Sequence, residues 1–143
     1  MILVDANLLI CAAITTMPHH SAAKTWLDGR FNEGGRVGLP WSSLTAFLRL
    51  TMNPRVLARP LMLTDAWSVA ASWLVLPNVW IPRETEEHAS IFASLLPHTS
   101  PGGNLIPDVH LAALAISHGL VLCSADGDFA RFPSLRRTNP LLP

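Results

Sequence analysis

The sequence predicts an α/β domain built on a mostly parallel sheet. Short β-rich apolar runs alternate with segments of helical periodicity along the whole chain, the pattern of strand–helix–strand units. The opening run Ile2-Leu3-Val4 is apolar without alternation, as in a strand buried on both faces. The chain has 143 residues, and surface scaling buries about two-thirds of such a chain, enough for one core and too little for two. Residues 1–143 therefore read as a single domain.

The elements follow in order. Ile2 to Val4 is the first strand and ends at Asp5. Leu8 to Ala13 starts a helix that stops before Pro18. From His20 to Phe31, the apolar positions Ala23, Trp26, Leu27 and Phe31 step by three and four, which predicts an amphipathic helix. Val37 to Leu39 is a second strand. Ser42 or Ser43 is a candidate cap for a helix carrying Leu44, Phe47, Leu48 and Met52, which ends at Asn53-Pro54 because the residue before proline avoids the α region. Ala66 to Leu76 is a further helix after the polar start Thr64-Asp65, and Val79 to Ile81 is a third strand. Glu84 to Leu96 reads as a helix with acids in its first turn, where the positive helix end favours them. Pro97 to Pro107 is a loop, and Asp108 to His118 is a helix ended by Gly119. Leu120 to Cys123 is a fourth strand, Asp126 to Phe132 a turn with a short helical piece, and Leu135 to Pro143 a tail with a short edge strand.

Composition removes several function classes. Half the residues are hydrophobic and 14% are charged, which excludes intrinsic disorder. No unbroken apolar run approaches about 20 residues, so no membrane-spanning helix is expected. The N-terminus lacks a basic stretch before its apolar residues and does not read as a signal peptide. Cys11 and Cys123 lie far apart without zinc-ligand spacing and are expected to be free thiols in a reducing cytoplasm. Ten basic residues balance ten acidic ones, which argues against non-specific duplex DNA binding. The sequence holds no Walker loop, dinucleotide-binding glycine motif or nucleophile elbow. Five tryptophans and so little charge in a small domain predict an apolar surface covered by a partner.

The candidate chemistry lies in the aspartates. Asp5 ends the first strand, Asp108 opens the helix before the fourth strand, and Asp126 and Asp128 follow the fourth strand. Ligands of open parallel sheets bind beyond the carboxyl ends of the strands. If the first and fourth strands are neighbours, these acids share one edge. Helix capping and turn formation explain each Asp singly, but capping does not require a shared edge. Clustered carboxylates repel, and an all-oxygen set suits Mg²⁺ or Mn²⁺. Such a site activates water and neutralises phosphate charge, as phosphodiester hydrolysis requires. Asn7 and Ser124 lie beside these acids and are candidate substrate-binding residues, each with an ordinary turn or cap role as the alternative. Arg49, Arg55 and Arg131 are candidates for flanking phosphates, with structural salt bridges as the plainer explanation. His110, two residues beyond Asp108, belongs to a different helix face.

Val4-Asp5-Ala6-Asn7-Leu8-Leu9, Pro107-Asp108-Val109-His110-Leu111-Ala112-Ala113-Leu114-Ala115 and Ser124-Ala125-Asp126-Gly127-Asp128-Phe129 resemble the motifs of PIN-domain ribonucleases, and among them the VapC toxins. Phe47-Leu48-Arg49, Asn53-Pro54-Arg55-Val56 and the ending Asn139-Pro140-Leu141 resemble a VapC subgroup. The likeness runs over essentially the whole chain. It implies a PIN-like parallel sheet of four to five strands flanked by helices. It also implies RNA cleavage with Mg²⁺ or Mn²⁺, a homodimer, and silencing by a VapB-type antitoxin. On this reading Asp5 and Asp108 hold the metal, and Asp126 and Asp128 complete the catalytic set. One departure stands out. Such toxins usually carry a Glu immediately before Phe-Leu-Arg, whereas this chain has Ala46, with no acid between Glu33 and Asp65. The missing acid favours an alternative: a degenerate PIN-like module that binds antitoxin or RNA with little cleavage. A phosphoacceptor-type α/β domain also uses strand-end aspartates, but the single lysine, Lys24, lies on an amphipathic helix.

Overall fold

The computed structural model describes residues 1–143. Five short strands, β1 (Ile2–Val4), β2 (Val37–Gly38), β3 (Val79–Trp80), β4 (Val121–Cys123) and β5 (Arg137–Thr138), form one sheet in the order β3-β2-β1-β4-β5. Every pairing is parallel. Six helices cover the sheet: α1 (Ala6–Ala13), α2 (His20–Asn32), α3 (Trp41–Thr51), α4 (Leu63–Leu74), α5 (His88–Leu95) and α6 (Ile106–Ser117). The expected α/β class, strand set and C-terminal edge strand are all present.

β1 lies at the centre because its residues are apolar on both sides. Successive strand residues point to opposite faces, and the two cores divide accordingly. Val4 and Cys123 join Leu8, Leu9, Leu27, Leu39, Phe47 and Trp73 beneath α1 to α4. Leu3 and Leu122 join Leu95, Phe129, Phe132, and Val109 with Leu111 to Ala115 of α6 on the other face. Phe47 and Trp73 meet edge to face at 5.0 Å between ring centres, which locks α3 to α4. Gly38 of β2 is required by close packing: a Cβ there would stand 2.8 Å from Pro82 Cγ and 3.1 Å from the Ile2 carbonyl oxygen.

Several boundaries differ from the sequence expectation, each for a local reason. α1 begins at Ala6, since Asp5 caps it: the Ala6 amide donates to Asp5 Oδ1 at 2.7 Å. α3 begins at Trp41 with Pro40 at the cap position, so neither Ser42 nor Ser43 is the cap. Ser43 instead donates its hydroxyl to the Val4 carbonyl at 2.8 Å, tying α3 to β1. α4 begins three residues early, at Leu63, with Asp65 in its first turn. The expected helix from Glu84 forms only from His88, so its acids precede it. The segment before it is held out of a helix by tertiary anchors: buried Pro82 packs against Gly38, and the His118 ring bonds the Arg83 carbonyl at 2.6 Å. α6 starts at Ile106 with Pro107 in its first turn, where the missing amide costs nothing. Gly119 then takes φ +64°, a left-handed turn that ends the helix. α2 opens at His20, as the periodicity predicts, with the His20 ring on the Cys11 carbonyl at 2.8 Å.

Both cysteines are free thiols, Cys11 partly buried and Cys123 buried. No helix is long and apolar enough to cross a membrane. The accessible surface is 7902 Å², about a tenth above the scaling value for a monomer of this mass. Large apolar side chains account for part of it: Leu63 and Trp67 of α4 are 59% and 43% exposed, with Met62 and Val75 at its ends more so.

Candidate metal centre and nucleic-acid cleft

The parallel register sets Val4 against Cys123, so Asp5 and Ser124 leave the sheet side by side. The Asp5 amide donates to the Cys123 carbonyl at 3.0 Å, and the Ser124 amide to the Thr138 carbonyl of β5 at 3.1 Å. Ser124 is the hub beneath the acids. Its hydroxyl donates to Asp5 Oδ2 at 2.7 Å and accepts from Asn7 Nδ2 and from the Asp126 amide, both at 3.0 Å. Asn7 closes the ring by accepting the Ala125 amide at 3.3 Å. The two candidate substrate-binding residues are therefore committed to holding the end of β1 against the turn after β4. Ser124 is buried, with its hydroxyl engaged inside the protein.

The loop before α6 returns the chain to this same edge, and Asp108 in the first turn of α6 reaches the turn after β4. Asp108, Asp126 and Asp128 each bring a carboxylate oxygen within 4.8 Å of the others. Asp126 caps the short 3₁₀ helix Gly127–Arg131 by accepting the Asp128 amide at 2.8 Å. Asp5 stands outside this close triplet. It shares with Asp108 a cleft of about 80 Å³ walled by Ser42, Ser43, Ala46 and Leu111. All four predicted acids thus gather at one edge, as three close neighbours and one deeper carboxylate.

The electrostatics follow from that crowding. Burial raises the Asp5 pKa, against the lowering effect of the Ser124 and Ala6 hydrogen bonds, and Asp126 raises it further. Asp108 is pushed up to about 6, first by burial and then by Asp126, Asp5 and Asp128. The one cation that counters this is Arg131, which pairs with Asp128 Oδ1 at 3.2 Å and donates to Ser100 Oγ at 3.1 Å. Arg131 therefore serves as an internal counter-charge that also holds the loop before α6. Arg49 is exposed in the last turn of α3 and does not line the carboxylate cleft. Arg55 is exposed beyond that helix. Four carboxylates with one guanidinium form a hard, oxygen-only donor set with excess negative charge, which fits a divalent cation such as Mg²⁺ or Mn²⁺.

Sequence reasoning missed a second group at this edge. His88 Nε2 lies 3.2 Å from His110 Nδ1, and His110 Nε2 lies 3.5 Å from Glu84 Oε1. Burial and the neighbouring His110 lower the His88 pKa. Expecting Glu84 and His88 on one helix concealed this group, because Glu84 reaches His110 from an extended segment.

A sequence profile of the family described as PIN domain matches residues 2–135. The chain belongs to the PIN domain family and, within it, to the VapC ribonucleases. It is 41% identical to ribonuclease VapC37 of Mycobacterium tuberculosis over 140 residues, 98% of this chain and 97% of that one. It is 40% identical to ribonuclease VapC33 of the same species, covering 99% of both. The fold is also that of a chain in the crystal structure of VapBC2 from Rickettsia felis bound to a DNA fragment from its promoter, with TM-score 0.66 at 17% identity and coverage of 97% and 98%.

Two outcomes follow from the geometry. The raised Asp108 pKa means that its protonated form favours the fold. That contribution is full below the unfolded value near 4 and is lost as pH rises through about 6. Without metal, the melting temperature should fall between pH 4 and 7, and Asp108→Asn should flatten that fall, raising stability at pH 7 by about 1 kcal/mol after solvent screening. Thermal melts in chelator across this range check it; parallel curves for the two proteins refute the assignment.

Ala46 lines the cleft with Asp5 and Asp108 and is only half-buried, so Ala46→Glu should add a ligand rather than break the core. Affinity for a hard cation follows ligand charge, so Mn²⁺ binding should tighten roughly tenfold with melting unchanged. Titration calorimetry reads this, and unfolding without tighter binding is the contrary result.

Proposed function

We propose that this protein is the toxin of a type II toxin–antitoxin pair, an endoribonuclease that hydrolyses RNA phosphodiester bonds with Mg²⁺ or Mn²⁺. The observation that carries this is the gathering of Asp5, Asp108, Asp126 and Asp128 at the carboxyl edge of the sheet, beside an open cleft. Asp5 and Asp108 are the residues to hold the cation. When bound, a divalent ion supplies phosphate charge neutralisation and water activation.

The chain's own groups do the rest. Ser124 and the Ala6 amide fix both oxygens of Asp5, so it meets a ligand pre-oriented. Asp126 is exposed beside Asp108 and is placed to accept a proton from the attacking water. Arg131 keeps Asp128 turned toward the cluster and limits repulsion before a cation arrives. Ala46 favours the second reading, a module that binds RNA or antitoxin with little cleavage, because it leaves one wall of the cleft without a carboxylate.

The partners are RNA, a VapB-type antitoxin and a second copy of this chain, in the cytoplasm. The exposed Leu63 and Trp67 of α4, four residues apart on one face, support an apolar protein contact. The VapBC2 assembly supports an antitoxin as one such partner.

Asp5→Asn and Asp108→Asn should each abolish cleavage of structured RNA in Mg²⁺, by a factor of 100 or more, roughly the value of a lost acid–base or ligand group, while the fold is kept. Single-turnover cleavage measures this. Wild-type rates in both variants exclude the site, and an inactive wild type with intact RNA binding favours the second reading. Light scattering at tens of micromolar should show a dimer; a monomer refutes that part.

A further inference from the structure

A second cleft, of about 110 Å³, adjoins the carboxylates. Trp41, Ser42, Arg83, Glu84, His110 and Leu114 line it. Ser42 is the shared wall: it lines this cleft and the one holding Asp5 and Asp108. α6 serves both, presenting Asp108 and Leu111 to one and His110 and Leu114 to the other.

The chemistry of the lining is that of a nucleobase site. Trp41 is 48% exposed, so the indole at the mouth is only partly used by the fold. Ser42 Oγ is buried without a hydrogen-bond partner. No side chain caps the start of α3; the Ser43 and Leu44 amides donate to the Pro40 carbonyl, both at 3.0 Å, which leaves the Trp41 and Ser42 amides at the ridge between the clefts. His110 holds Glu84 at the rim at 3.5 Å, leaving acceptor capacity on the carboxylate. Arg83 adds an exposed guanidinium. A cavity of about 150 Å³ holds a benzene ring, so this cleft has room for the leading edge of one ring and not for a duplex. Single-stranded RNA is read in this way: a splayed base stacks on an aromatic side chain and is hydrogen-bonded along its edge.

We propose that this cleft is a subsite for one unstacked nucleobase next to the scissile phosphate. Trp41 is its stacking platform, and Glu84 accepts from an exocyclic amino group. The Trp41 and Ser42 amides at the start of α3 face the phosphate between the two clefts. The inference deepens the ribonuclease reading and rests on it for the nature of the ligand. It assigns Trp41 and Glu84 as specificity-determining residues and favours adenine, cytosine and guanine, which carry an exocyclic amino group, over uracil, which has none.

The test is binding of fluorescein-labelled RNA hexamers of A, C or U, read by anisotropy with Ca²⁺ in place of Mg²⁺, alongside cleavage in Mg²⁺. The wild type should bind the A and C hexamers about tenfold more tightly than U. Trp41→Ala should weaken binding of all three about tenfold, the scale of one lost base–aromatic stack. Trp41→Phe should restore most of it. Glu84→Ala, which removes the acceptor, should erase the gap between C and U while leaving U unchanged. Equal binding of the three hexamers by wild type, no binding at all, or indifference to Trp41→Ala each overturns the subsite. If wild-type RNA cleavage is normal and both variants cut with unchanged preference, the subsite falls and the ribonuclease reading stands. If the hexamers bind through Trp41 but no RNA is cut, the ribonuclease reading falls and the subsite stands.

Discussion

The parallel pairing of β1 with β4 at the centre of the sheet is the constraint on which the site depends. It joins the first residues of the chain to residues more than a hundred positions later and sets the register that places Asp5 beside Ser124. Both strands are buried on both faces, so a slip of one residue would send Leu3 and Val4 into the wrong cores. Apolar packing therefore fixes the position of a polar centre. The three residues Ile2, Leu3 and Val4 specify where Asp5 stands more firmly than any contact Asp5 makes itself.

Against that packing stands the charge. Folding brings four carboxylates to one edge and supplies one guanidinium, Arg131, among them. The protein tolerates this by satisfying each acid locally: Asp5 by the Ser124 hydroxyl and the Ala6 amide, Asp126 by the Asp128 amide, and Asp128 by Arg131. Asp108 has no such partner and carries the largest shift among the acids. The residue with least internal compensation is the one through which an external cation acts most strongly, so stability and metal binding are linked at that side chain.

The alternation of strands and helices was legible in the sequence because it rests on local periodicity and on breakers such as Gly119 and Pro54. The four aspartates were legible for a related reason: each ends or opens an element, and parallel topology sends those ends to one edge. Features set by distant contacts were not. α5 starts late because Pro82 meets Gly38 and His118 meets the Arg83 carbonyl, partners some 35 to 44 residues away in sequence. Ser43 is drawn to the Val4 carbonyl across 39 residues, which no capping rule anticipates. The separation of Asp5 from the close triplet, and the use of Asn7 and Ser124 as its supports, depend on side-chain geometry that spacing does not encode. Arg49 is a candidate phosphate ligand by residue type alone, and it lies exposed in the last turn of α3, outside the carboxylate cleft.

The Ser124–Asp5 hydrogen bond spans 119 residues, and this span governs when the carboxylate edge can assemble. A ribosome making the chain has already extended Asp5 into solution long before it reaches Asp126. Contacts this remote in sequence form late, because their loop-closure entropy must be met before they return any energy. No truncated product ending before Ser124 contains the assembled carboxylate cluster. The topology thus assembles the carboxylate cluster only once Asp126 and Asp128 have been made.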